Sequence, residues 1–381
     1  MSAPGSPAGP AREPAPLHPT ALLAPYAMHS RDSVGRRYPE APDPLRSPYE
    51  VDRARIIHSA AFRRLSHKTQ VFTGERSDYH RTRLTHTLEV AVVARTLGRA
   101  LRLNDDLIET LALAHDLGHP PFGHAGEDIL DCCLADCGGF NHNRQGLRIV
   151  EELERVDRRF PGLNLSGEVL EGQAERTPSR TGNLRPLLEV QAVEAADSIT
   201  YDTHDADDAL YLGLLELGEL LEIPLWQAAA RRVRRQHTDL TADELRWAVL
   251  QELLNWQLTD VIDTTRRGIE AAGIASVAAA RQAAPLVIAT PELAEQKREL
   301  EAFLFERVYK HPQVLEFRAA AQQALAELFA HLVAHPRLLP SRFAVRVDQD
   351  GLPRTVGDYV AGMTDRYALA QHRDLVRAGA K

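Results

Sequence analysis

Residues 115–127 read His115-Asp-Leu-Gly-His-Pro-Pro-Phe-Gly-His-Ala-Gly-Glu127, and this stretch decides how the rest of the chain is interpreted. Five of its thirteen side chains can bind a metal, transfer a proton or hold an anion: His115, Asp116, His119, His124 and Glu127. A single histidine on an apolar stretch is commonly a core residue, but that explanation is hard to apply so many times in one short segment. The stretch therefore predicts a divalent-metal hydrolase whose remaining ligands come from elsewhere in the chain.

Helical periodicity surrounds this stretch on both sides. Apolar residues recur near every 3.6 positions in residues 82–101 and 107–117, which predicts two helices. The Gly and Pro residues within 118–121 force the second helix to end, and another helix is expected over 123–134. The chemically rich stretch thus lies at a helix junction, where side chains from two helices can meet.

The rest of the chain predicts a mainly α fold. With 381 residues and 44% hydrophobic content, the protein can bury a large core. Residues 1–48 hold 11 of the 23 prolines and are expected to be largely disordered or extended. A short β-hairpin is expected near 343–356, where the turn residues Asp348-Gln-Asp-Gly follow an apolar run.

Composition excludes several classes of function. A formal net charge of -8 and a pI near 6.1 argue against nucleic-acid binding through a bulk positive field. No apolar run is long enough for a transmembrane helix, and no secretory signal is recognisable. Cys132, Cys133 and Cys137 are grouped too closely for a disulfide framework, so reduced thiols in a cytoplasmic protein are expected. The arginines in 231–235 suggest a solvated helix face, with an anionic effector site as the alternative.

A hydrolytic metal needs ligands beyond the vicinal pair His115-Asp116. His86, in the first turns of the preceding helix, is the leading upstream candidate. Asp197 is the downstream candidate, because an acid within an apolar helical pattern is costly to bury unless it is paired or metal-bound. A solvated helix face is the other interpretation of Asp197. Imidazole with carboxylate suits a transition ion, Mg²⁺ or Mn²⁺.

These four residues resemble the signature of the HD-domain phosphohydrolases. The surrounding sequence resembles a narrower group, the bacterial deoxyguanosinetriphosphate triphosphohydrolase-like proteins, in residues 62–72, 78–86, 115–127, 140–145, 197–208 and 362–368. The resemblance implies a helical HD core over residues 49–221. It also implies a helical C-terminal region over 222–381 that completes the substrate pocket and forms oligomer contacts.

Members of that family cleave a deoxynucleoside triphosphate (dNTP) at the α-phosphorus and release the deoxynucleoside and intact triphosphate. The resemblance implies that the divalent ion (Mn, Mg, Fe, Co or Zn) is held by His86, His115, Asp116 and Asp197. It further implies that His124 delivers a proton to the leaving 5′-oxygen while Glu127 orients its ring, and that His119 contacts the phosphates. The expected substrate contacts are Arg53, Arg83, Gln70, Arg64, Lys68, His142, Tyr201, Asp205 and Tyr309, with Tyr309 stacked on the sugar.

The expected partners are a dNTP substrate, a dNTP effector and further copies of the chain, with a hexamer implied by resemblance and little nucleic-acid binding. Two alternatives stay open: another HD phosphohydrolase acting on nucleotides or signalling nucleotides, and a catalytically weak sensor of nucleotides or single-stranded DNA. The chain departs from the family pattern at Glu175 and Arg176, which stand where the family has a basic residue and a histidine. Base choice and effector response depend on such positions.

Overall fold

The computed structural model describes residues 23–70, 81–176 and 184–377, and these residues are mainly helical. The mainly α fold class is therefore confirmed. The first half of the chain contains α1 (Pro48–His58), α2 (Ala60–Arg64), α3 (Arg83–Leu101), α4 (Asp105–Ala114), α5 (Gly123–Cys133), α6 (His142–Arg148), α7 (Gly167–Glu175), α8 (Leu188–Tyr211) and α9 (Leu217–Leu220). The second half contains α10 (Pro224–Gln236), α11 (Ala242–Ala271), α12 (Val277–Gln282), α13 (Pro291–Leu304), α14 (Pro312–Ala334), α15 (Ser341–Ala344), α16 (Val347–Asp350), α17 (Leu352–Ala361) and α18 (Asp365–Gln371).

Short 3₁₀-helical and π-helical segments extend or connect these helices. The 3₁₀ segments are Ser30–Asp32, Leu65–His67, Ala135–Cys137 and Pro336–Leu338. The π segments are Ile149–Leu153, Phe305–Tyr309 and His372–Arg377. β pairing within the described residues is limited to isolated bridges: Arg36 with Ser166, Thr69 with Thr82, and Arg155 with Gly162.

The helices around the site begin and end where local chemistry requires it. Thr82 caps α3 by accepting the Thr85 backbone N–H, while the Thr85 side chain accepts the Thr82 N–H. Asn104 caps α4 through the Leu107 N–H. After Ala114 the chain leaves α4 and turns into residues 115–121. The predicted helices over 82–101, 107–117 and 123–134 thus correspond to α3, α4 and α5.

A central layer is formed by α1, α3, α4 and α8. Helix α3 packs against α4 and α8, and α1 packs on the other side of α4. Their inward faces form one continuous core of aliphatic side chains that includes Leu97, Leu107, Ile108 and Val193. Because these residues repeat at helical spacing, each helix presents one face to its neighbours and fixes the direction of its polar residues.

The C-terminal helices pack onto this layer from two directions. Helix α14 lies against α5 and α17, around a core that includes Leu325 and Tyr359. Helices α10, α11 and α13 surround Trp226 and the second half of α8. None of the helices in the described part of the chain is long and apolar enough to cross a membrane.

The β-hairpin expected near 343–356 is wrong, because this segment consists of α15, α16 and the start of α17. Gly351 does adopt a left-handed backbone with φ of 80°, but it ends α16 and begins α17 instead of reversing a strand. The apolar run before it is buried for another reason. The Phe343 ring packs against Tyr359 of α17, with ring centroids 5.1 Å apart.

Disorder over residues 1–48 is also wrong for the part that the structure describes, which begins at residue 23. Ala27 is fully buried, and the Met28 N–H donates to the Glu189 carboxylate at 2.9 Å. Arg36 pairs with Asp52 of α1. Proline content reduces helix formation but does not prevent an extended segment from packing across helices. Residues 1–22 lie outside the described residues.

Candidate metal centre and acid-base site

Four residues from two helices and one turn meet at one point in the central layer. His86 comes from the first turn of α3, His115 and Asp116 from the turn that directly follows α4, and Asp197 from the middle of α8. The Nε2 atom of His86 lies 3.1 Å from Oδ1 of Asp197. The Nε2 atom of His115 lies 3.4 Å from Oδ1 of Asp116 and 3.8 Å from Oδ1 of Asp197. The helix packing thus brings together all four residues that were expected to bind a metal.

The tautomer of His115 shows that this cluster fits a cation. Its Nδ1 lies 2.7 Å from the Ala112 carbonyl oxygen, which can only accept, so Nδ1 carries the proton. Nε2 therefore presents a lone pair, and it is buried without a hydrogen-bond partner in the described residues. Burial lowers the pKa of His115, which keeps the ring neutral. A lone pair facing two carboxylate oxygens is repulsive unless a cation lies between them.

The donor set also decides which ions fit. Two imidazole nitrogens and two carboxylate oxygens suit Mn, Fe, Co, Zn or Mg better than an ion that demands thiolates. His86, His115 and Asp116 are buried and offer ligand atoms that all lie within 4.8 Å of one another. These residues could therefore hold one divalent ion.

An arginine contacts the outer oxygen of each carboxylate in the cluster. Arg83 Nη1 donates to Oδ2 of Asp116 at 2.9 Å, and Arg176 Nη2 donates to Oδ2 of Asp197 at 3.0 Å. Arg83 is only 2% exposed and begins α3 one turn before His86. The Oδ1 atoms of both acids are consequently directed to the side occupied by His115.

Glu127 organises a second group of ionisable residues beside the first. Its carboxylate accepts from Nδ1 of His124 at 3.1 Å and from Nδ1 of His142 at 2.8 Å. It also accepts the backbone N–H of His142 at 2.9 Å. Although partial burial opposes ionisation, the bonds from His124 and His142 hold the pKa of Glu127 well below its usual range. Glu127 is therefore ionised, and each histidine keeps its Nε2 for another partner.

His119 connects the two groups. Its Nδ1 lies 3.0 Å from Oδ1 of Asp116, and its ring stacks on His142 with centroids 3.9 Å apart. Gly118 makes this arrangement possible, because a Cβ atom there would lie 1.9 Å from the His142 carbonyl oxygen. The turn after α4 and the start of α6 are thus in direct backbone contact, and polar groups run without a break from Asp116 to His124.

A third group lies further along α8. Asp197, Tyr201 and Asp205 follow one another at single helical turns. The Tyr309 hydroxyl donates to Asp205, and the Tyr201 and Tyr309 hydroxyl oxygens are 2.5 Å apart. Burial raises the pKa of Asp205 to about 7. This group offers a protonatable acid and two phenols next to the cluster.

Comparison with known proteins identifies the family. The HD domain matches residues 83–202, and the phosphohydrolase-associated domain matches residues 287–374. A deoxyguanosinetriphosphate triphosphohydrolase-like protein of Thiobacillus denitrificans is 42% identical over 363 residues, covering 92% of this chain and 96% of the relative. Deoxyguanosinetriphosphate triphosphohydrolase-like protein 1 of Deinococcus radiodurans is 46% identical over 364 residues, covering 93% of this chain and 96% of the relative. This chain belongs to that family of HD-domain phosphohydrolases.

Some of the residues expected to contact substrate in this HD phosphohydrolase have other partners. Arg53 pairs with Glu109 at 2.5 Å and with Asp106 at 3.3 Å, on the first turns of α4. Arg64 lies 3.4 Å from Glu154. The guanidinium groups of Arg53 and Arg64 are therefore each paired with a carboxylate outside the cluster.

Lys68 is buried and ties two distant segments together. Its Nζ donates to the His119 carbonyl oxygen at 2.5 Å and to the Ala361 carbonyl oxygen, at the end of α17, at 2.9 Å. Burial lowers its pKa to about 7. Lys68 thus supports the turn that carries His119 and uses its donors on backbone, where a phosphate contact had been expected.

Gln70 lies close to Arg83. Its carbonyl oxygen accepts from Arg83 Nη2 at 3.3 Å, and its side-chain Oε1 is buried with no hydrogen-bond partner in the described residues. An acceptor in this position can take a hydrogen bond from a bound molecule. His142, expected as a substrate contact, instead joins the group around Glu127.

Sequence reasoning missed two residues that the structure places at the site. Arg176 had been noticed only as a departure from the family pattern, yet it contacts Asp197. Asp365 lies inside the family-like segment 362–368, and it accepts from Phe122 and Thr69, which flank the site. The departure from the family pattern was the one available signal for Arg176. Asp365 had no signal beyond its segment.

Proposed function

We propose that this protein is a metal-dependent dNTP triphosphohydrolase that cleaves its substrate at the α-phosphorus. The observation that carries the proposal is the connection of two half-sites: a His/Asp cluster fit for one divalent ion and, through His119, an ionised Glu127 holding His124. The names of the relatives agree with such a reaction. Activity at this site would control dNTP pools, in the cytoplasm as the sequence led us to expect.

In this proposal His86, His115, Asp116 and Asp197 hold the ion. When bound, the ion would neutralise charge on the α-phosphate oxygens and polarise an attacking water. The oxygen of the water bonds to the α-phosphorus, and the bond from phosphorus to O5′ breaks. The triphosphate product carries the oxygen of the water, and the proton that the water loses balances the proton delivered to O5′.

Proton delivery to O5′ is assigned to His124. Its Nδ1–H is held by Glu127, so the ring presents Nε2 toward a ligand, and its side chain is 61% exposed and therefore accessible. An alkoxide is a poor leaving group, so a positioned acid is worth roughly 10² to 10⁴ in rate. Glu127 orients the ring, and His142 shares the same carboxylate.

The remaining groups fit the sugar and the phosphates. Gln70 Oε1 is a buried acceptor without a partner, which suits it to the sugar. Asp205 with Tyr309 and Tyr201 forms a hydrogen-bonded set that suits a 3′-hydroxyl. Arg83 and His119 are assigned to the phosphate side. In this assignment Tyr309 also stacks on the deoxyribose, which leaves no space for a 2′-hydroxyl.

The decisive experiment is product analysis in H₂¹⁸O. Each dNTP is incubated with the protein and Mn²⁺ in H₂¹⁸O. The products are separated by anion exchange, and their masses are measured by mass spectrometry. We expect equal amounts of deoxynucleoside and triphosphate, with ¹⁸O in the triphosphate. Release of phosphate or pyrophosphate would support a different HD phosphohydrolase, and binding without turnover would support a nucleotide sensor. Asp116→Ala should abolish turnover, whereas Asp106→Ala, in the first turn of the preceding helix α4, should not.

A dNTP effector is part of the proposal. A cavity of about 580 Å³, outside the metal cluster, is lined by six arginines and three acids: Arg64, Arg155, Arg158, Arg159, Arg342, Arg346, Glu152, Glu154 and Asp358. An excess of guanidinium groups suits a polyphosphate. Gly362 also lines this cavity, next to the Ala361 carbonyl that binds Lys68. A ligand there can therefore influence the turn that carries His119. Activation by a second dNTP, lost in Arg158→Ala with Arg342→Ala, tests it.

Assembly into a homo-oligomer, a hexamer by resemblance, is proposed on the family likeness alone. Light scattering with and without dNTP tests it, and a monomer under both conditions would refute it.

A further inference from the structure

The two acids of the metal cluster are held in the same way, although they come from different helices. Each acid has its Oδ1 on the side of His115 Nε2, at 3.4 Å for Asp116 and 3.8 Å for Asp197. Each has its Oδ2 bound by one arginine, Arg83 at 2.9 Å or Arg176 at 3.0 Å. One oxygen of each carboxylate is therefore already occupied by a guanidinium before any cation arrives.

The two arginines come from different parts of the fold. Arg83 is the first residue of α3, is 2% exposed, and also donates to the Gln70 carbonyl oxygen at 3.3 Å. Arg176 follows α7, a helix that packs on α4 and α6, and its side chain is 16% exposed. In this arrangement each guanidinium holds one oxygen of its carboxylate away from the centre, so each carboxylate presents its other oxygen there.

This constraint bears on the choice of cation. Ca²⁺ takes six to eight oxygen ligands and commonly binds carboxylates through both oxygens, whereas Mg²⁺ needs near-octahedral geometry at about 2.0 to 2.1 Å. An acid limited to one oxygen supplies one well-directed ligand. Partners that orient metal ligands in this way typically change metal affinity by about 10- to 100-fold when they are removed.

We propose that Arg83 and Arg176 are positioning residues that restrict Asp116 and Asp197 to one ligand oxygen each, and thereby select a small, near-octahedral divalent cation over Ca²⁺. The proposal rests on the proposed metal centre. Arg176 is the more informative member of the pair, because Arg83 is also assigned to the phosphates. Arg176 is assigned no role toward the substrate, and its guanidinium donates to Asp197.

The test measures metal binding directly, without turnover. Metal-free full-length protein is titrated with Mn²⁺, and unbound Mn²⁺ is followed by electron paramagnetic resonance; Ca²⁺ is then added as a competitor. Arg176→Met removes the donors while keeping most of the volume, and Arg176→Lys keeps the charge and one donor group. The control is Arg281→Gln, because Arg281 pairs with Glu171 of the same helix α7 and contacts none of the four ligands.

We expect Arg176→Met to weaken Mn²⁺ binding by about 10- to 100-fold and to lower the preference for Mn²⁺ over Ca²⁺. Arg176→Lys should recover part of both, and Arg281→Gln should match the wild type. Equal Mn²⁺ affinity and equal Mn²⁺/Ca²⁺ ratios in wild type and Arg176→Met overturn the proposal. Should Arg176→Met fail to fold by circular dichroism, wild-type binding in Arg176→Gln overturns it equally. Failure of the proposed metal centre gives a different result, because wild type and Asp116→Ala would then bind Mn²⁺ with the same affinity.

Discussion

The Asp365 carboxylate accepts the Phe122 backbone N–H through Oδ1 at 2.9 Å, although 243 positions separate the two residues. Its Oδ2 accepts the Thr69 backbone N–H at 2.9 Å and the Thr69 hydroxyl at 2.5 Å. Phe122 has a left-handed φ of 62° and precedes α5, which carries His124. One acid from the phosphohydrolase-associated segment thus fixes both Thr69, next to Gln70, and the start of α5.

Replacement of Asp365 should therefore impair activity from outside the pocket. We expect Asp365→Ala to lower kcat/KM by about 10- to 100-fold, because a displacement near 1 Å of a catalytic group can cost that much. Steady-state kinetics on the preferred dNTP measures it. Arg366→Ala is the matched control, since Arg366 is exposed on the same helix. Equal loss in both variants would contradict the role given to Asp365.

Glu127→Gln should lower kcat by about 10²-fold with little change in KM, because an amide cannot hold two Nδ1–H donors as a carboxylate does. Single-turnover measurements with saturating dNTP separate this chemical defect from product release. Asp128→Asn serves as the control, since Asp128 pairs with Arg318 on the surface. A rise in KM with unchanged kcat would reassign Glu127 to substrate binding.

The lowered pKa of Lys68 predicts that the free energy of unfolding rises with pH above about 7. Burial lowers its pKa to about 7 from 10.5, so between these pH values the unfolded chain holds a proton that the folded chain has released. Stability should then increase with pH across this window, by at most about 1.4 kcal/mol per pH unit. Urea unfolding at pH 7, 8 and 9 should show a flatter profile for Lys68→Met than for wild type. Lys310→Met, at an exposed ion pair, should leave the profile unchanged.

Asp205 predicts a pH dependence of substrate binding. Burial raises its pKa to about 7, so its carboxylate form, the better acceptor for a 3′-hydroxyl, increases from pH 6 to pH 8. KM for a dNTP should fall across this interval, and Asp205→Asn should remove the trend. A 2′,3′-dideoxynucleotide lacks the hydroxyl, and its KM should not follow pH in this way. Identical trends for both substrates would exclude Asp205 as the 3′-hydroxyl contact.

The sequence predicted the parts of the site that follow from helix periodicity. His86 and Asp197 lie on the inward faces of α3 and α8, and His115 and Asp116 directly follow α4, so packing of these three helices brings the four residues together. Their role as ligands stays a prediction. Glu127 and His124 share a face of α5 for the same reason. Family likeness contributed the role expected of each of these residues.

The sequence could not predict which partner a long charged side chain would select. Arg53 was expected at the phosphates, but Glu109 and Asp106 lie within its reach once α1 packs on α4. Lys68 finds a carbonyl acceptor 293 positions away. Asp348-Gln-Asp-Gly is equally compatible with a hairpin turn and a helix end, and only burial of Phe343 against α17 decides between them.

Position 118 tolerates no side chain, which restricts how this site can change during evolution. Because any Cβ there would lie 2.3 Å from the Gly146 nitrogen as well as against the His142 carbonyl, a substitution must displace α6 from the turn that carries Asp116 and His119. Cation retention and proton delivery would then be lost in one step. A library randomised over residues 117–119 and selected for activity should return glycine alone at position 118, even where its neighbours vary.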